Sequence, residues 1–389
     1  MHPDSPLKQF RDVVRSTLDP AADDLPVTDF IITILASQYM TDFGDPLWGW
    51  IIGPPGSMKT EALRGLYEHP HIYMTSDLTP KSIISGYDRE DGKDPSILPK
   101  LDGKVLVIKE FTSILQLPDV QTKQIFGTLR SCYDQQHGRA TGTTGLKSYK
   151  SRFSMIAAVT PRIDAYTLVH ADLGERFIAC RIGRLGQSDR TERKRLARHI
   201  WNSTPHKKTW RATMTGVLHA AVDEFMNTDR VPPVFTDAQT EDIIEWADLI
   251  ALMRTVPTEG AAAVEPELAS RTVQQLRTLV EAHAFADRRS TITEDDLAFM
   301  RRIGRDTIPS AVSGMLSTLY RMQTTSMNGN YFELGQIART SGGTVKWMYQ
   351  AVRQYTYCDI LTANNERIRL TDDFLERLRA SNVFAGPRP

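Results

Sequence analysis

Trp48-Gly-Trp-Ile-Ile-Gly-Pro-Pro-Gly-Ser-Met-Lys-Thr60 is the stretch on which the fold turns. Trp48 to Ile52 is a short apolar run that reads as a buried strand, and Glu61-Ala-Leu-Arg-Gly-Leu66 reads as the start of a helix. Between them lie Gly53, Pro54, Pro55, Gly56, Ser57, Met58, Lys59 and Thr60. A loop that feeds a helix N-terminus turns backbone N–H groups towards one point, and the helix dipole adds partial positive charge there, so the arrangement is an anion cradle. The lysine can then reach the β- and γ-phosphates of a nucleotide, and the threonine hydroxyl can hold magnesium. The spacing fits G-x-x-x-x-G-K-[ST] except at Met58, where a second glycine is usual.

A second strand signal, Val105-Leu-Val-Ile108, runs into Lys109-Glu110, with Glu110 57 residues beyond Gly53. In nucleoside triphosphatases such a strand supplies acid for magnesium and for the attacking water. The usual ending is Asp-Glu, so Lys109 is a departure and Glu110 is the candidate for both tasks. Phe153-Ser-Met-Ile-Ala-Ala-Val159 is a third buried run. Strands alternating with helical stretches predict an α/β layer with a largely parallel sheet.

Helical spacing flanks this layer. Leu7, Phe10, Val13, Val14 and Leu18 share one helical face, and Phe30, Ile31, Ile34, Leu35 and Tyr39 another. Beyond about residue 190, helices are expected at 191–201 (strongly basic), 213–226, 237–253, 267–286 and 293–305, the last capped by Thr293, with a small-residue connector at 255–266. The tail reads as helices at 312–323, 331–340 and 344–355, the last two joined by Gly342-Gly343. Strand-like pieces at 360–362 and 367–371 follow. A helix-turn-helix followed by a hairpin predicts a winged helix.

The chain has 389 residues, 41% of them hydrophobic, enough for two or three domains with cores. Its 47 basic and 47 acidic residues cancel, which excludes a polybasic coat and leaves any polyanion partner to local patches. Residues 176–211 form one such patch, with eleven Lys/Arg against two Asp/Glu. Cys132, Cys180 and Cys358 lie far apart, which excludes a disulfide framework or a zinc cluster and fits a reducing compartment. No apolar run approaches the roughly 20 residues of a membrane span, and the N-terminus lacks a basic-then-apolar leader. The expectation is a cytoplasmic protein with no membrane partner.

These segments resemble the AAA+ module of minichromosome maintenance helicases. That family's phosphate loop reads Gly-Asp-Pro-Gly-x-Ala-Lys-Ser, with a small residue rather than glycine before the lysine, so Met58 departs less than it first seemed to. Ser82 to Ser96 resembles the hairpin inserted in helix 2, and Ile108-Lys-Glu-Phe111 resembles Ile-Asp-Glu-Phe. Ile156-Ala-Ala-Val-Thr-Pro161 resembles the segment that carries the sensor-1 polar group, here Thr160. Leu173-Gly-Glu-Arg-Phe177 resembles the segment of the arginine finger, here Arg176, and Ser270 to Arg277 resembles a lid helix with Arg271 as sensor 2. The resemblance covers about 48–305 and implies an N-terminal helical segment at 1–46, an AAA+ α/β P-loop core at 47–235, a helical lid at 236–310 and a winged helix at 311–389. With only about 46 residues ahead of the module, no room for the family's N-terminal collar is expected, as in the compact forms of phages and mobile elements.

The same resemblance implies ATP and Mg2+ as cofactors, a homo-oligomeric ring (a hexamer), and DNA in the ring channel. Residues 135–150 occupy the place of the pre-sensor-1 hairpin, so Arg139, Lys147 and Lys150 are candidate phosphate contacts. In the tail, Lys346, Gln350 and Arg353 could reach DNA from the second helix of the helix-turn-helix, while a protein-docking role, for instance with replication proteins, stays equally open. Two functions remain in view: an ATP-driven DNA helicase or translocase of a mobile element or phage, and an ATP-dependent DNA-binding switch such as a helicase loader, an origin-binding factor, or a defence or transposition regulator.

Overall fold

A computed structural model describes residues 2–17, 26–40, 44–57, 59–85, 94–141, 145–169, 176–182, 194, 197–198, 201–229, 231–255, 263–325, 331–341 and 344–384. Of residues 17, 136–141, 145–147 and 167–169 it describes the backbone alone. Met58, most of the basic stretch at 191–201, Gly342-Gly343 and residues 86–93 and 171–175 lie outside the described residues.

The fold is mixed α/β around a five-stranded sheet in the order β2-β3-β6-β1-β7. The strands are β1 (Trp48–Ile52), β2 (Ile72–Thr75), β3 (Val105–Ile108), β6 (Ser154–Val159) and β7 (Phe177–Arg181), and every neighbouring pair is parallel. The expected parallel sheet is therefore present, and β1, β3 and β6 fall where the apolar runs predicted them. These three are buried along their whole length, as a parallel sheet covered on both faces requires. β2 is half-buried and ends in Thr75, and β7 is only four apolar residues long before Arg181, so neither gave a long apolar run.

β1 explains how both faces are covered. Trp48, Trp50 and Ile52 alternate onto one face, where Trp50 stacks on Phe177 with centroids 4.0 Å apart and meets Phe111 edge-on at 4.6 Å. Gly49 faces the other way. A Cβ there would come within 2.3 Å of Ile34 and 2.6 Å of Phe30, so glycine is what lets the Pro26–Gln38 helix lie directly on the sheet. That helix is buried from Thr28 to Gln38, its polar Thr28, Asp29, Thr33, Ser37 and Gln38 included, so no solvent-facing side interrupts it there. The Pro6–Thr17 helix packs against it and against the Lys207–Asn227 helix, and Arg11 forms a bidentate pair with Asp29. The N-terminal helices are thus part of the same body as the sheet.

The chain divides into two compact units, 1–163 with 176–235 and 277–300, and 164–175 with 236–276 and 301–389. In the second, the Asp237–Arg254 helix starts with a capping box between Thr236 and Gln239. The tail runs through helices Ser310–Thr325, Leu334–Ser341, Val345–Tyr357 and Asp372–Ser381, with a three-stranded antiparallel sheet in the order β8-β10-β9. β8 is Phe332–Glu333, β9 is Leu361–Asn364 and β10 is Arg367–Leu370. The helix expected from 331 begins at Leu334 because Phe332 and Glu333 pair with β10 instead. Asn365 takes φ 54° in the hairpin turn, a conformation asparagine tolerates. The buried Gln323 amide spans the backbone of Leu370, accepting from its N–H at 2.8 Å and donating to its carbonyl at 3.1 Å.

Candidate phosphate site

The loop after β1 is shaped by two glycines for different reasons. Gly56 has φ 80°, a left-handed conformation that side chains rarely adopt. A Cβ on Gly53 would stand 2.7 Å from Ser57 Oγ and 3.2 Å from the Ile182 carbonyl, so a side chain there would force Ser57 to rotate away and crowd the β7 end. Gly53 N–H continues the sheet register by donating to Val159 O at 3.1 Å. The helix then starts at Lys59.

Lys59 is buried against this loop. Its ammonium donates to the carbonyls of Gly53 at 2.6 Å and Pro54 at 2.9 Å, and to Ser57 Oγ at 3.3 Å. Burial lowers its pKa, and the negative charge of Glu110 opposes that shift. Glu110 itself is exposed at the end of β3, where it caps the turn Phe111–Gln116 by accepting from Thr112 N–H at 3.3 Å. The order of strands puts β6 between β3 and β1, so Thr160, the first residue after β6, lies between the acid and the loop. Thr160 N–H donates to Thr112 Oγ1 at 3.1 Å, and Thr112 donates to Thr160 Oγ1 at 3.3 Å. Thr112 was not singled out from sequence; its position two residues after the acid was the available signal.

Beside the loop opens a cleft of about 520 Å³, lined by Thr60 and Arg64 from the helix, Tyr67 from the turn after it, Met74 and Ser76 from the end of β2, and Lys109 and Glu110 from the end of β3. Arg64 and Tyr67 were likewise missed, because nothing in the sequence marks which residues of the helix and of the turn after it meet the neighbouring strand end. Thr60 and Glu110, the two candidate magnesium donors, meet in this cleft, and Lys109 meets them there. Among the described residues no group of three or more His, Cys, Asp or Glu gathers as a metal site.

Arg176 immediately precedes β7, and β7 pairs with β1 in parallel with Phe177 opposite Trp48. Arg176 is therefore at the opposite end of the sheet from the loop, roughly 20 Å of extended chain from Gly53 at ~3.3 Å per residue. There it lies 3.5 Å from Asp134, at the end of the Asp119–Tyr133 helix. In the second unit, Arg271 donates to Glu267 Oε1 at 2.8 Å, and Glu267 also takes the buried Arg254 at 3.1 Å.

The candidate nucleic-acid residues fall on two elements. β4 (Gln136–Thr141) and β5 (Gly145–Lys150) form a separate antiparallel ribbon in which Arg139 is the cross-strand partner of Lys147, and Lys150, exposed, of Gln136. Lys346 and Arg353 are exposed on the Val345–Tyr357 helix, capped by Thr344. The other side of that helix is held down: Tyr355 OH donates to Met253 O at 3.1 Å, and the Gln354 amide exchanges two bonds with the Val264 backbone. No described helix is long and apolar enough to cross a membrane. No protein-family model matches the chain, and no curated protein matches it.

Proposed function

We propose that the chain is an ATPase of AAA+ type, resembling minichromosome maintenance helicases, that works as a ring on DNA. The observation that carries this reading is the convergence at one edge of the parallel sheet: Lys59 buried in its loop, Glu110 on the next-but-one strand, and Thr160 on the strand between them. Three strands that stand in the sequence as separate apolar runs thus lead into the polar groups that phosphoryl transfer needs together. In this mechanism Lys59 trades its loop carbonyls for phosphate oxygens, Glu110 takes the proton of the attacking water, and Thr160 orients that water from its tether on Thr112. Magnesium would be held by Thr60 and Glu110, and when bound it would neutralise charge on the phosphates.

The position of Arg176 adds a requirement for assembly. An arginine at the far end of its own sheet cannot stabilise its own γ-phosphate, but it can serve a neighbour's in a head-to-tail ring. Arg271 is the second candidate cation, and the tail, with its helix-turn-helix and hairpin, is a winged helix in this reading. The β4–β5 ribbon and the exposed Lys346 and Arg353 offer phosphate contacts whose affinity would multiply around a ring.

One observation favours a second reading, a nucleotide-dependent DNA-binding switch with slow turnover: Lys109 brings a cation where the family has an acid. ATP hydrolysis measured with and without single-stranded and forked DNA, together with strand separation, distinguishes the two. DNA-stimulated turnover with unwinding is the expected result. Slow, DNA-independent turnover without unwinding would favour the switch, and a lack of nucleotide binding would overturn both.

A further inference from the structure

We propose that the Lys109 ammonium is a built-in counter-cation for the terminal phosphates of the bound nucleotide, so that tight nucleotide binding here does not require a divalent metal. The inference rests on the phosphate-site reading above and deepens it. Three observations carry it. Lys109 is half-buried and lines the same cleft as Thr60, the second residue of the helix that follows the loop. Among the described residues its ammonium has no ion-pair or hydrogen-bond partner, and its only described bond is the backbone one from its N–H to Thr75 O. A half-buried lysine without a carboxylate is a poor arrangement unless an anion completes it.

The charge inventory of the cleft gives that anion its class. Arg64 and Lys109 are cationic, with Lys59 in the adjoining loop, and Glu110 is the one carboxylate of the lining. The nearby Glu61 is shared by three cations, Arg211, which donates to it at 3.0 and 2.5 Å, and Lys207 and Arg64, each at 3.6 Å, so it does not cancel the positive charge around the cleft. A cleft with surplus positive charge attracts a polyphosphate and repels a bare divalent cation. A lysine acts on phosphate as a point charge, which suits the terminal oxygens of a nucleoside di- or triphosphate.

The test is binding of a fluorescent ATP analogue to the full chain in magnesium and in EDTA. The wild-type dissociation constant should change less than about threefold on chelation. Lys109→Asp should lose about 10- to 100-fold in EDTA and recover in magnesium, whereas Lys109→Arg should behave as wild type. If Lys109→Asp does not fold, as judged by circular dichroism, Lys109→Met removes the charge at similar length and should show the same loss in EDTA. A wild type that loses about tenfold or more on chelation overturns the proposal, as does a charge-removed variant that tolerates EDTA equally well. Both of those results leave the phosphate site standing so long as Lys59→Ala abolishes binding. A wild type that binds no nucleotide in either condition overturns the site reading itself.

Discussion

The Thr112 hydroxyl accepts the Thr160 N–H at 3.1 Å and donates to Thr160 Oγ1 at 3.3 Å, tying the end of β6 to the turn that Glu110 caps. The tie fixes the candidate sensor and the candidate acid relative to each other. Thr112→Val keeps the shape but leaves the Thr160 N–H without its acceptor, a loss of about 1–3 kcal/mol. Turnover of ATP should fall about tenfold or more with nucleotide affinity unchanged, read from kcat alongside a binding isotherm. Equal losses in both would contradict the tie's role in the chemical step.

Gly53 should be less replaceable than Gly56. Alanine at Gly56 meets nothing within 4 Å and suffers only the left-handed backbone strain of about 1–2 kcal/mol. Alanine at Gly53 crowds Ser57 Oγ at 2.7 Å and the Ile182 carbonyl at 3.2 Å, so Ser57 must turn away from the Lys59 ammonium that it accepts from. Gly53→Ala is therefore expected to weaken nucleotide binding far more than Gly56→Ala does, while thermal unfolding separates the two much less.

Glu267 and Arg271 should separate stability from catalysis. Glu267 holds Arg254, whose side chain is 5% exposed, so Glu267→Ala strands a buried charge at a cost of about 3–5 kcal/mol. Arg271 is 30% exposed in an i,i+4 pair, so Arg271→Ala should cost below about 1 kcal/mol. Denaturant titration checks both values. A sharp loss of ATP turnover in Arg271→Ala would then report on chemistry and not on folding.

Acid sensitivity should centre on Asp296. Burial would raise its pKa, but Arg289 at 2.6 and 2.7 Å, His283 at 2.6 Å and the Thr293 N–H at 2.7 Å overcome this and hold it well below the usual carboxylate range. The folded state therefore favours the charged form. Its stabilising contribution is complete above the unfolded value of about 3.9 and is lost as pH falls through and below it towards the folded pKa. The melting temperature of the wild type should drop steeply as pH is lowered from about 5, and Asp296→Asn should flatten that dependence. Parallel curves would contradict the assignment.

The core of the fold was legible because its signals are local. Three fully buried strands appear as apolar runs, and the candidate phosphate loop appears as a fixed spacing of glycine, lysine and threonine. What was illegible depends on neighbours distant in sequence. β2 carries Tyr73 and Thr75 in a half-buried edge, and Thr112 matters only because β3 and β6 are adjacent. The packing of the 26–38 helix on Gly49, and the meeting of Arg64 and Lys109 in one cleft, follow from tertiary approach that no periodicity encodes.

The claim that a neighbour's Arg176 completes each phosphate site is tested most directly by mixing two inactive variants. Lys59→Ala removes the loop's cation and Arg176→Ala removes the finger, and each alone should be without ATPase activity. In a random one-to-one mixture, about a quarter of head-to-tail interfaces pair an intact loop with an intact arginine, so about a quarter of wild-type turnover should return. A mixture as inactive as its components, from proteins that demonstrably co-assemble, would contradict the account.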